Sequence, residues 1–482
     1  MRKATLIFAV IVIVSLVFLT TALGSEVGSP SNANAQQKMI ATIASVVAGG
    51  LFLGVCILLA MREGSALFAS RGTTWPILLL AALVAVAMRV IVALMFEGYA
   101  TDIGCFKGWA IAAYEQGPAN FYTSGMFADY PPGYMYILYV IGWLREVFAI
   151  DYGSAAFTLL IKIPSFIAEV AMAIIIYRVG KKQIGKMFGL LAASLVLFNP
   201  AMLFNSAAWG QIDAVFILFV VLALLYLKKE NYLLGALFFT IALLIKPQAI
   251  MFAPIVGLAY VYALFKRGGM KKALVGIFGG AAIFAALMTL AAWPFTGSQQ
   301  PLWIFEKYAN TVNFYPYTSL NAFNLFALIG GNFQSAEQPF LGLDFATWGW
   351  ILIAVVCVAV VLLQWRSRER RPLFGLGAFL IVSVFMLSHA MHERYILPAG
   401  ILLIFAYVYS RNNKTLLFAA LFTIFGLASQ MVTLFAPSTA VDETTTLVMS
   451  IIGIALYIVY AIATIRDIIS GKVLIKSPAA HS

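Results

Sequence analysis

At 482 residues, 63% hydrophobic and only 10% charged, with a mean hydropathy of +0.96, the chain is excluded from being a soluble core of that size and reads as a polytopic membrane protein. A net charge of +12 would point to nucleic acid in a soluble chain. Here, threading the apolar runs with basic clusters inside places 23 of the 31 Lys and Arg on inner loops, so the excess faces anionic lipid headgroups and no nucleic-acid partner is expected.

The acids sort the other way. Only Glu63, Glu230, Glu369 and Asp467 fall inside, leaving 15 of the 19 Asp and Glu outside or in the bilayer. The expected fold is an all-α bundle of about fourteen transmembrane helices with both termini inside. The spans lie near residues 4–22, 40–60, 76–96, 155–177, 187–204, 213–227, 232–246, 249–265, 272–293, 347–364, 373–389, 395–409, 415–436 and 447–465. The first run follows Met1-Arg2-Lys3 and has some signal-peptide character; its length favours an uncleaved anchor. Residues 131–149 begin with Pro131-Pro132 and end at Arg145 and Glu146. Counting them as a crossing would put the Arg178 to Lys186 cluster outside, so they are expected to lie in the outer leaflet. Cys56, Cys105 and Cys357 form no evident framework, and no disulfide is expected.

The first large outer loop, Glu97 to Asp151, carries Asp102 at the start of a helical pattern through Ile103, Phe106, Trp109, Ala110 and Ala113, expected as an interfacial helix. Asp102 can cap that helix, and a cap leaves one carboxylate oxygen free to act. Asp129-Tyr130-Pro131-Pro132 follows; taken alone, Asp before Pro is turn chemistry.

Lys162 and Glu169 share a face of the span 155–177, two helical turns apart. Each costs about 2.5–3.5 kcal/mol at mid-bilayer on insertion scales, so both must face protein or a wet cavity. A substrate role and a structural charge pair with a neighbouring helix both fit.

The connection Trp209-Gly210-Gln211-Ile212-Asp213 is too short for a domain but offers hydrogen bonds and ring stacking to a sugar; Trp there also serves as belt anchoring. Lys246 breaks the charge rule at the outer end of its span, where it suits a lipid-linked phosphate or snorkels to headgroups. Trp303, Tyr308, Tyr315, Tyr317, Asn321 and Asn324 make the next outer loop rich in aromatics and amides, a carbohydrate surface or an aromatic belt. His389, His392, Glu393 and Arg394 cluster at the outer end of 373–389. The His389/His392 spacing puts both on one helix side; without further ligands, phosphate recognition or proton handling by His392 and Arg394 fits better than zinc.

In order, these residues resemble the GT-C glycosyltransferases, membrane enzymes that use a polyprenyl-phosphate sugar as donor. They are most similar to the dolichyl-phosphate-glucose-dependent glucosyltransferases and their bacterial relatives. The acid with a Trp seven positions on is matched by Asp102 and Trp109, the Asp-Tyr-Pro-Pro motif by Asp129 to Pro132, and the spaced base and acid by Lys162 and Glu169. Trp209 to Asp213, Lys246-Pro247-Gln248 and His392-Glu393-Arg394-Tyr395-Ile396-Leu397 look like the later motifs, with Gln211-Ile212-Asp213 and Arg394 as departures. The likeness runs from about residue 76 to 409, giving an expected division into an anchor segment 1–75, a catalytic module 76–409 and C-terminal spans 410–482.

The resemblance implies inverting transfer of a hexose, of glucose or mannose type, from polyprenyl phosphate to a lipid, glycan or protein acceptor outside the plasma membrane. Asp102 would be the base and Lys246, His392 and Arg394 would face the leaving phosphate. Trp109, Asp129, Tyr130, Lys162, Glu169, Gln211, Asp213, His389 and Glu393 would complete the substrate site. With no Asp-x-Asp pair in the first loop, no cofactor is required and a divalent metal is optional. The competing class is a transporter, a lipid-linked sugar flippase or another multispan transporter, in which Arg89, Lys162 and Glu169 would suit a pathway; the sequence shows neither internal repeats nor paired broken helices.

Overall fold

A computed structural model describes residues 34–61, 73–265, 269–312, 315–367 and 372–470; the expected span 4–22 lies outside them. The chain is an all-α polytopic membrane protein. Its helices are α1 (Ala35–Ala60), α2 (Trp75–Met95), α3 (Ala100–Glu115), α4 (Pro132–Val147), α5 (Ala155–Gln183), α6 (Lys186–Leu197), α7 (Asp213–Lys228) and α8 (Tyr232–Ile245). They continue with α9 (Ala253–Phe265), α10 (Met270–Ala292), α11 (Trp303–Val312), α12 (Phe345–Arg366), α13 (Leu373–Leu387), α14 (Leu397–Ser410), α15 (Asn413–Phe435) and α16 (Glu443–Ile469).

Among the described residues nine helical runs are long and apolar enough to cross a membrane. The expected fourteen therefore includes segments that are helical but short: α7, α8, α13 and α14 have 14 to 16 residues, against the roughly 20 that a hydrocarbon core of about 30 Å requires. Their burial explains how they persist. α13 and α14 are buried along nearly their whole length, whereas α2, α10, α12 and α16 present rows such as Leu79, Leu80 and Leu83 outward, where lipid is the solvent. Segment 131–149 forms α4, also short of a span. It packs tightly on α3: a Cβ on Gly142 would stand 2.1 Å from the Ala110 carbonyl oxygen. The three cysteines are free thiols.

Three features fix the bundle around its polar interior. Run α6 continues through a turn of α-helix (Pro200–Leu203) into a π-helix, Phe204–Trp209, the wider form that recurs at functional sites. The two-residue strands β1 (Ser319–Leu320) and β2 (Met391–His392) pair in parallel and tie the 315–344 loop to the chain between α13 and α14. Finally, Glu169 of α5 accepts from Arg89 Nε of α2 at 2.7 Å, and both side chains are buried. Removing one partner strands the other charge in a low dielectric. Glu169→Gln is therefore expected to destabilise the fold by about 3 kcal/mol, read as a lower unfolding midpoint in detergent, with the KM for substrate unchanged.

Candidate active site

The polar centre is built around the turn after the π-helix. Gly210 adopts a left-handed conformation, φ +89°, and a Cβ there would meet Ile103 at 2.4 Å and Lys162 at 3.1 Å, so only glycine fits. The Gly210 and Gln211 amides both donate to the Asn205 carbonyl, at 3.0 and 2.9 Å, while the Trp209 carbonyl accepts from Tyr99 N at 3.0 Å. Lys162 completes the clamp from α5. Its ammonium donates to the Phe96 carbonyl (2.8 Å) and the Ala207 carbonyl (2.7 Å), joining the end of α2 to the π-helix. Its geometry is that of a residue holding the turn, and Glu169 is engaged with Arg89.

Asp102 lies in the first turn of α3, but the helix begins at Ala100 with Tyr99 as its cap, and no side chain caps it. The expected capping role is thus not taken. The carboxylate reaches across to the 209–211 turn, where Oδ2 accepts from Trp209 Nε1 at 2.7 Å and Gln211 Nε2 at 2.6 Å. Oδ1 takes no hydrogen bond from a described residue. Such an arrangement fixes the carboxylate through one oxygen and presents the other. The surrounding helix is also more buried than an interfacial helix: Ile103, Phe106, Lys107, Trp109, Ala110, Ala112 and Ala113 are all inside.

Gln211 links Asp102 to a buried charge pair. Its Oε1 accepts from Lys246 Nζ and Tyr130 Oη, both at 3.2 Å, which turns the amide nitrogen toward Asp102. Lys246, fully buried at the end of α8, also pairs with Asp213 Oδ1. Asp213 Oδ2 accepts from Asn205 Nδ2 at 3.0 Å and lies 4.0 Å from Arg394 Nε; Asn205 in turn donates to Gln430 of α15 at 3.1 Å. Lys246 therefore does not snorkel to headgroups, and its charge is already balanced inside the protein.

Arg394 bonds Glu393 Oε1 at 2.8 Å and lies 5.7 Å from the centre of the Trp209 ring, which stacks on Tyr99 at 5.2 Å. Its Nε is buried without a hydrogen bond. Burial works against the Arg394 charge, but Glu393 first, then Asp102, Tyr395 and Asp213 outweigh it and hold the guanidinium fully protonated. Burial raises the Glu393 carboxyl above its usual range, with Arg394 opposing.

The two histidines do not share a helix side. α13 stops at Leu387 and the chain continues as a loop and strand, sending them to different places. His389 packs against Trp350 of α12, rings 5.5 Å apart, and its Nδ1 is where a Gly349 side chain would have to go. His392 lies edge-on to Tyr315 at 4.9 Å and beside Tyr395 at 5.1 Å, with Nε2 buried and unbonded. Burial foremost, then Arg394 and Lys246, push its pKa well below the ordinary imidazole value, which favours the neutral ring in the site without substrate. The sign follows: below about pH 6.5 the unfolded chain takes a proton that the native site refuses. Stability from this group is present above that pH and lost as pH falls, by up to about 1.4 kcal/mol per unit. His392→Gln is expected to flatten the acid side of the melting-temperature profile between pH 6.5 and 5.

Asp129 faces the same space from the loop before α4. Tyr315 Oη donates to its Oδ2 at 3.3 Å, its Oδ1 is buried and unbonded, and burial raises its carboxyl above the usual range. Trp109 supports this loop by donating to the Phe127 carbonyl at 2.7 Å and packing on Tyr130, 5.4 Å between rings. Lys307 of α11 donates to the neighbouring Ala128 carbonyl and lies 4.6 Å from the centre of the Tyr122 ring; burial lowers its pKa to about 8.

Of the expected set, Asp102, Trp109, Asp129, Tyr130, Gln211, Asp213, Lys246, His392, Glu393 and Arg394 come together around one polar centre. Lys162 braces it from behind; Glu169 and His389 lie apart. Tyr99, Asn205, Lys307 and Gln430 join it without having been singled out. Lys307 breaks the charge rule as Lys246 does, and Asn205 and Gln430 are amides inside apolar runs, the anomaly that marks polar sites in membranes. A comparison with curated proteins finds no relative that matches the chain. The model of glycosyltransferase family 87 matches residues 127–388, a segment that includes Asp129, Gln211, Asp213 and Lys246 and stops short of Asp102 and Arg394.

Proposed function

Because the chain belongs to glycosyltransferase family 87, we propose that this membrane glycosyltransferase moves a hexose, glucose or mannose, from a polyprenyl-phosphate carrier to an acceptor outside the cytoplasm, with inversion at the anomeric carbon. The observation that carries the reading is Asp102, anchored through Oδ2 by two N–H donors with Oδ1 open, beside a guanidinium with an unused N–H.

In the proposed step the acceptor oxygen forms a bond to the anomeric carbon as the bond to the carrier phosphate breaks. The acceptor proton passes to Asp102 Oδ1, and the bonding pair leaves with the phosphate oxygen. A general base in this position contributes about 10²–10⁴-fold. Arg394 is assigned to the leaving phosphate, where preorganised positive charge is most effective in a water-poor site. Lys246 acts through Gln211 and Asp213, His392 as a neutral donor or acceptor, and Asp129 with Tyr315 on a substrate hydroxyl. Lipid, glycan and protein acceptors all fit an open carboxylate oxygen, and the chemistry asks for no metal.

An extracytoplasmic site in the plasma membrane with cytoplasmic termini is supported by charge sorting. Nucleotide sugars are cytosolic, so a transferase working outside requires a lipid-carried donor. The flippase reading loses its main support, since Arg89, Lys162 and Glu169 are held in fixed contacts with each other's helices and with backbone. The test supplies purified protein with radiolabelled polyprenyl-phosphate hexoses in one arm and nucleotide hexoses in the other, with native membrane extract as acceptor source. Consumption of a lipid-linked donor alone is expected; turnover of nucleotide sugars alone would overturn the donor assignment.

A further inference from the structure

The strongest unassigned feature lies at the far end of the bundle. α5 passes from Lys162, beside the polar centre, to Arg178 sixteen residues later, about 24 Å along a helix axis. There a cavity of about 910 Å³ opens, into which Arg178, Lys181, Lys182, Lys186 and Lys229 project and which no Asp or Glu among the described residues lines. Arg178, Lys181, Lys182 and Lys186 make no ion pair with a described residue. Five like charges around one cleft repel each other, and the arrangement is relieved by a bound anion.

The rest of the wall says what kind of anion. Ile175, Leu222 and Leu225 form an apolar part of the lining, and the Thr74 and Tyr177 hydroxyls, 2.9 Å apart, are fixed at its edge. Trp75 also lines it, half-exposed at 49%, and opens the helix whose next turns present Ile77, Leu79 and Leu80 to lipid. An inorganic phosphate would use only the cations. An acylated phosphate would use both, its headgroup among the lysines and its chain along α2. Basic pockets between membrane helices on the positively charged side take anionic headgroups in this way.

We propose that this cavity is a binding site for the headgroup of an anionic phospholipid, distinct from the glycosyl-transfer site and independent of its chemistry. Full-length protein reconstituted in mixed phosphatidylglycerol and phosphatidylcholine nanodiscs is released into the gas phase, and the retained lipids are counted by mass. Retention of phosphatidylglycerol at least tenfold over phosphatidylcholine is expected, unchanged by added inorganic phosphate. Lys181→Gln/Lys182→Gln should lower that preference severalfold and Lys181→Arg/Lys182→Arg should keep it. Lys271→Gln/Lys272→Gln, a charge-matched change at the same end of the bundle but outside the cavity, should also keep it. No preference in the wild-type protein, displacement by inorganic phosphate, or an equal loss from the 271/272 pair would each overturn the proposal; the last would mean diffuse attraction to the charged surface.

Discussion

Asp102→Asn is expected to lower kcat for sugar transfer by about 10²–10⁴-fold and to leave donor affinity nearly unchanged. The amide is nearly isosteric. Its oxygen can still accept from Trp209 Nε1 and Gln211 Nε2, the two donors that hold Oδ2, so the turn and α3 stay in place. What disappears is an oxygen able to take the acceptor proton. Asp102→Glu keeps the basicity, but its extra methylene displaces the carboxylate from both donors; it is expected to recover only part of the rate. The readout is single-turnover transfer alongside donor binding. Equal losses in kcat and in donor affinity would mean that Asp102 binds the donor and that another group takes the proton.

Lys246→Met is expected to have the second large effect, on stability as well as rate. Lys246 is fully buried and paired with Asp213, so removing its charge leaves a carboxylate in the interior, a loss of about 3–5 kcal/mol. Arg394, 4.0 Å from Asp213 at Nε, offers only partial compensation. Gln211 also loses a donor to Oε1, and the amide orientation that supplies Nε2 to Asp102 rests on Tyr130 alone. Thermal unfolding in detergent reads the first effect and transfer activity the second. Lys246→Met/Asp213→Asn removes both charges and is expected to restore much of the stability, because the stranded carboxylate is gone, without restoring activity. A single variant as stable as wild type would show that the pair is not what organises this corner.

Much of the fold was legible because membrane physics is severe. Apolar runs had to be helices, and the described helices fall on thirteen of the fourteen expected segments. Length was less legible. A 14-residue helix such as α14 and a true span have similar composition, and only burial within the bundle distinguishes them. Among the candidate site residues, Lys246 stood out against the expected charge sorting, and Asp102 and Asp129 through the spacing of the motifs around them. Their partners were harder to read: Asn205 and Gln430 stood out only as amides inside apolar runs, and Tyr99 gains its place only when α3 and the 209–211 turn meet. His389 misled for a related reason. Spacing of three implies a shared face only in a helix, and α13 ends two residues before it.

Whether Asp102 takes a proton during transfer from a lipid-linked sugar is read most directly from the label on the carrier. Membranes containing wild-type protein or Asp102→Asn are each given polyprenyl-phosphate hexoses labelled in the sugar, with the native membrane as acceptor source. Label is expected to leave the carrier only in wild-type membranes and to appear in a product whose anomeric configuration is inverted. A proton-accepting role for Asp102 is contradicted if donor is consumed at the same rate in both, or left intact in both while labelled lipid changes leaflet equally.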